Sequence, residues 1–351
     1  MTKQRYDIHP DRPGALIAAL PAVLGFVPEH SLVLAAVEDG ALGLVTRTDL
    51  GDELPDRLAT LTDAVSAAAP EAVIAVFVDA DGARCPVCNI EFRRIADALV
   101  RLLARHDIVV WAAHVVDAIA ADGRWHCVDG CGSAGRVEDP ACSPLAMAAV
   151  LEGRRLYSSR DEMVAVFAPR DRRRRRRLAA ALRKQAAKSR AEGAGDSDAR
   201  ARGALEFVVA AVERLSTGTV FDDADLVSLG GALDDIRVRD SLFGLAVGER
   251  AVDAEALWVL LAQVLPEPAR AEALVLLAFA AYARGDGSLA GMALGAALDE
   301  RPDHRMAGML DSALQSGMRP EQIRELAITG LRIAEELGVQ LPPQRPARRA
   351  G

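Results

Sequence analysis

The chain has 351 residues, long enough for two domains that each bury a core. An apolar share of 51% beside 26% charged residues excludes general disorder, and a formal net charge of -8 argues against a nucleic-acid partner, whose phosphates call for a basic surface. No apolar run reaches the roughly 18 residues of a membrane span, and Pro13 and Pro21 interrupt any leader-like start, so a cytoplasmic protein without membrane attachment is expected.

Residues 14–24 read as a short helix that Pro21 kinks or starts. Two β-type runs, 31–37 and 42–48, flank Asp39-Gly40, a strong hairpin signal. Helical spacing over 53–69 precedes the continuous apolar run 73–78, which reads as a strand covered on both faces. A helix is expected over 90–105 and a second buried strand over 108–116. Strand, helix and strand in that order imply a right-handed crossover with parallel pairing. Both cysteine segments would then leave the sheet at its carboxyl edge, where α/β proteins place their sites.

Helix resumes over 145–152, a capped turn follows at 158–162, and Pro169 closes an N-terminal domain, 1–169. Residues 170–202 form an Arg-rich helix and linker containing the run Arg172 to Arg177. From 203 to 337 every apolar pattern has helical period, and 338–351 reads as a disordered tail. Ala278, Ala290, Ala297 and Pro302 fall at the small-residue and proline positions of a tetratricopeptide-like hairpin. The fold class is therefore an α/β domain, a mixed sheet with a β-hairpin and a βαβ unit, followed by an all-α helical domain.

Five cysteines, an odd number, read in a reducing compartment as thiols or metal ligands. Cys85-Pro86-Val87-Cys88 stands between a strand and a helix, where a helix dipole would favour a thiolate and support thiol-disulfide redox chemistry. Thioredoxin-like proteins carry such a pair, but no β-α unit of their layout precedes it and no cis-proline strand follows. Alternatively Cys85 and Cys88 join Cys127 and Cys131 in a tetrahedral zinc site, with Cys142 and His126 as substitutes. Arg47 and Asp49, and Arg124 and Trp125, are candidate ligand-binding residues, although an ion pair fixing a loop also accounts for the first two. No P-loop, dinucleotide fingerprint or zinc-protease motif occurs.

Several segments together carry a resemblance: ALPAVLGFVPEHSLVLAAV (19–37), TRTDL (46–50), GRWHC (123–127), SPLAMAAVLEGR (143–154), SRDEMVAVFAP (159–169) and the helical stretch 276–310. They resemble the actinobacterial family known as domain of unknown function 4192, which implies a cytoplasmic protein without an assigned activity. Family members usually show a Cys-Cys-Pro group after the aromatic segment. Here Gly132 stands where its second cysteine is expected, and Cys85 and Cys88 lie outside the family pattern. The expectation from all of this is a non-catalytic binding or accessory protein that meets a protein partner through its helical domain, with the zinc and redox readings as alternatives.

Overall fold

The computed structural model describes residues 7, 12–151, 154–191 and 197–343. These residues divide into two compact units, one of those up to 162 with 315–317, the other of those from 163 to 314 and from 318 to 343.

The first unit opens with α1 (Pro13–Leu24), which carries Pro21 inside it and ends on Gly25 in the left-handed region. β1 (Ser31–Glu38) and β2 (Ala41–Asp49) form the expected hairpin; Asp39 and Gly40 both take positive φ, as the tight primed turn requires. Then come α2 (Leu54–Ala67), β3 (Ala72–Val78), α3 (Pro86–Leu103) and β4 (Val109–Val116). β5 (Arg124–Cys127) and β6 (Ala134–Arg136) complete a six-stranded sheet in the order β2-β1-β3-β4-β5-β6. Within this sheet only β3 and β4 pair in parallel, the outcome of the crossover through α3.

Every residue of β3 is buried, which explains its unbroken apolar sequence. Phe77 stacks on Phe92 of α3 at 4.9 Å between centroids, and Leu54, Leu58 and Val65 of α2 join Leu99 and Leu103 in the same core. Each such side chain stabilises the fold by roughly 1.5–3 kcal/mol through burial. α3 starts at Pro86, not at Ile90, because proline at a first helical position forfeits no hydrogen bond. α4 (Pro144–Leu151) and α5 (Arg160–Ala165) follow the sheet.

The second unit is helical: α6 (Arg172–Ala191), α7 (Ser197–Ser216), α8 (Asp223–Ala232), α9 (Ile236–Leu242), α10 (Ala251–Val264), α11 (Ala269–Arg284), α12 (Gly287–Glu300), α13 (Arg305–Gln315) and α14 (Pro320–Glu336). α11 is buried along almost its whole length and packs most extensively on α12. Ala278, Ala290 and Ala297 are fully buried in this unit, consistent with the small residues expected of the hairpin. The helical unit also takes in part of the arginine run and the start of the tail. Arg174 binds Asp223 and Arg175 donates to the Leu265 carbonyl, so the arginine run packs on the helical unit as well as facing solvent. Residues 338–343, read as disordered, include buried Val339 and the Pro343 carbonyl, which accepts the Glu249 N–H; 344–351 lie outside the described residues. Among the described residues no helix is long and apolar enough to cross a membrane.

Candidate functional site

The dithiol lies where β3 hands over to α3. A single 3-10 turn (Gly82–Arg84) bridges them, anchored by Asp79, whose Oδ1 accepts the Asp81 and Gly82 N–H groups. Cys85 is the N-cap of α3, and its Sγ accepts the Cys88 N–H at 3.4 Å. An N-cap acceptor takes up one of the unsatisfied amides of the first turn, and the helix dipole favours a negative charge there. The Cys85 thiol is accordingly drawn below its ordinary range, first by the Cys88 backbone N–H and then by the Cys88 side chain, against the opposing effects of burial and of Asp79. Cys88 moves the other way: the hydrogen bond shared with Cys85 and partial burial hold its proton on. Two half-buried thiols three residues apart are thus made unequal, with the helix start acting on Cys85 and the hydrogen bond shared with Cys85 acting on Cys88.

Asn89 fixes this start. Its Nδ2 donates to the carbonyls of Cys85 and Gly82 at 2.8 and 3.1 Å, and its Oδ1 lies 2.7 Å from His126 Nε2 on β5. On the next turn Arg93 donates to the Val128 carbonyl at 3.0 Å.

A second thiol cluster forms in the β5–β6 connection. Ligand atoms of Cys127, Asp129 and Cys131 lie within 4.8 Å of one another. Asp129 Oδ1 accepts the Cys131 N–H at 2.9 Å, which with the Cys131 side chain lowers the carboxyl's proton affinity. Burial, followed by the contact with Cys131, pushes the Cys127 thiol up to about 12. His114, buried on β4, places Nδ1 at 3.6 Å from Cys127 Sγ. Burial also disfavours the His114 imidazolium. Two thiols and a carboxylate form a donor set suited to zinc. Cys85 and Cys88 do not belong to this cluster. The topology gives the reason: β5 runs back antiparallel to β4, pairing Trp125 with Val116 but Cys127 with His114, which carries Cys127 inward from the carboxyl edge.

The same reversal leaves Arg124 and Trp125 at that edge. A cleft of about 500 Å³ opens there, lined by Ala83, Arg84, Asp117, Arg124, Trp125, His126, Ala134, Gly135 and Arg136. Trp125 is nearly buried, edge-on to His114 at 5.1 Å between centroids. Its ring occupies the space that a side chain at Gly135 would fill: a Cβ there would stand 3.0 Å from it. Asp117 accepts the Arg124 backbone N–H at 2.7 Å and caps the turn between β4 and β5. Arg47 and Asp49 lie on β2 and bind each other; Arg47 also donates to Ser31 Oγ at 2.8 Å. Cys142 is exposed and hydrogen-bonded to Asp139. Asn89 and Asp129 were not singled out from the sequence. The only available signal was position, one being the residue after the dithiol and the other lying midway between two cysteines.

A family model described as Domain of unknown function (DUF4192) matches residues 13–321. No curated protein and no solved structure matches the chain.

Proposed function

The chain belongs to this DUF4192 family of unknown function, and from its geometry we propose that it performs thiol–disulfide exchange, with Cys85 as the attacking thiolate and Cys88 as the resolving thiol. The carrying observation is the Cys88 N–H directed at Cys85 Sγ from the first turn of α3. It favours charge on Cys85, which precedes the helix, and leaves Cys88 protonated until needed. The accessory-binding role expected from the sequence rests on the helical hairpin and on the lack of a complete catalytic constellation, whereas the dithiol reading rests on a specific hydrogen bond.

Cys85 S⁻ attacks one sulfur of a substrate disulfide, forming a mixed disulfide and expelling the other sulfur as thiolate, which takes a proton from solvent. Cys88 then loses its proton and attacks Cys85 Sγ. The Cys85–Cys88 disulfide forms, the second substrate thiolate leaves, and two electrons have passed from the protein to the substrate. A dithiol reductant reverses these steps and returns the protein to its starting state.

In full-length Cys88→Ser, exposure to bis(2-hydroxyethyl) disulfide should leave a mixed disulfide at Cys85, identified by peptide mass spectrometry. The unaltered protein should instead pass on to Cys85–Cys88. Even modification of all five cysteines, with no Cys85–Cys88 disulfide, would contradict the proposal.

A second reading is favoured by the mutual spacing of Cys127, Asp129 and Cys131: these residues would hold a zinc ion. The ion would tie the β5–β6 connection, and His114 stands beside Cys127 as a further nitrogen donor. Elemental analysis of protein purified under reducing conditions should find stoichiometric zinc that is lost in Cys131→Ser and kept in Cys85→Ser. Zinc retained by Cys131→Ser, or absent from the unaltered protein, overturns this assignment.

A further inference from the structure

Resting on the dithiol reading, we infer that the cleft bordered by Arg84, Arg124 and Arg136 is the substrate pocket of Cys85 and takes a small disulfide bearing a carboxylate.

Place comes first. Ala83 and Arg84, the two residues before Cys85, form one wall, and His126, held by the Asn89 that also binds the Cys85 carbonyl, contributes to another. The cleft therefore borders the nucleophile's own turn. At about 500 Å³ it lies in the range of small-molecule sites.

Charge comes second. In the β5/β6 register Arg124 stands directly opposite Arg136, so two cationic side chains share one face of a two-stranded ribbon. Like charges in that relation repel and destabilise the pair. Arg84 brings a third guanidinium to the same cleft. Acids pair with two of the three at the long end of ion-pair distance, which leaves one positive charge over. Asp117 is engaged by the Arg124 N–H and stands 3.7 Å from Arg84, and Asp122 stands 3.6 Å from Arg136. No ion pair holds the Arg124 side chain among the described residues. An anion seated between Arg124 and Arg136 would relieve their repulsion, and guanidinium groups bind carboxylate in bidentate fashion. A ligand anchored there would extend its disulfide toward the Cys85 turn, and Trp125 and Gly135 give the cleft an apolar floor for the connecting carbons.

The test uses the reduced full chain and three disulfides of similar size: 3,3′-dithiodipropionate (anionic), bis(2-hydroxyethyl) disulfide (neutral) and cystamine (cationic), each followed by formation of Cys85–Cys88. The anionic disulfide should react fastest after correction for its intrinsic reactivity toward a free thiol, and added salt should reduce its advantage. Loss of one charge-assisted contact in Arg124→Ala should lower the anionic-to-neutral rate ratio about tenfold, and Arg124→Lys should restore part of it. Calorimetry with 3,3′-thiodipropionate, a thioether that cannot exchange, should show binding to the unaltered protein that weakens in Arg136→Ala. Exchange with equal rates for the three disulfides, or a ratio unmoved in Arg124→Ala, overturns the pocket assignment and leaves the dithiol standing. Failure to exchange with any of them overturns both.

Discussion

Glu272 shows what one residue does in the helical unit. It is buried on α11 and meets Arg239 at 3.1 Å and Arg301 at 3.0 Å, while His304 Nε2 lies 3.1 Å away without good hydrogen-bond alignment. Burial alone would raise the carboxyl's proton affinity, but the His304 and Arg239 contacts outweigh it and the affinity falls below the ordinary carboxylate value. A carboxyl shifted down in the folded state contributes stability above its unfolded pKa of about 4.3 and loses it as pH falls through the lower folded value. Glu272→Gln removes the charge that Arg239 and Arg301 face, and should cost roughly 3–5 kcal/mol at pH 7 in urea unfolding. The deficit should narrow below about pH 4; a deficit constant across that range would contradict the ion-pair account. None of this was legible in the sequence, where Glu272 is one acidic residue in an Ala-rich helix. Cys85 and Cys88 were legible as a pair, whereas their inequality depends on the side of the helix start on which each stands.

At the scale of elements, legibility followed length and signal strength. The β1–β2 hairpin was marked by Asp39-Gly40, and β3 by its unbroken apolar run. β5 and β6 were missed because strands of four and three residues show no alternation to detect, and Arg124 to Cys127 reads equally well as a loop. That omission mattered. Without β5 the chain after β4 was expected to bring Cys127 to the carboxyl edge beside Cys85, whereas antiparallel pairing sets Cys127 opposite His114 and leaves Arg124 and Trp125 at the edge instead. The start of α3 was also placed four residues late, although Pro86 is itself a helix-start signal. The tail expectation failed in part through side-chain packing: the Leu341 side chain approaches the glycine at 244, and Val339 is buried.

At the scale of the molecule, two classes of element were readable from hydrophobic period, strand-rich before residue 163 and helical after it. The pairings around the dithiol were legible only in part: β3 lies between β4, which follows the motif and was expected as its parallel partner, and β1, which precedes it and whose antiparallel pairing with β3 no local pattern marks. Local order around the dithiol is thus supplied by long-range pairing, and membership of the family adds no chemistry of its own. The central claim is that this framework draws the Cys85 thiol below its ordinary range and so favours its thiolate. Iodoacetamide labelling of Cys85 in reduced, intact Cys88→Ser protein, followed from pH 4 to 10, tests it most directly: the account predicts a rate that reaches its plateau well below the free-thiol pKa of about 8.5, and a rate that rises only through about 8.5 would contradict it.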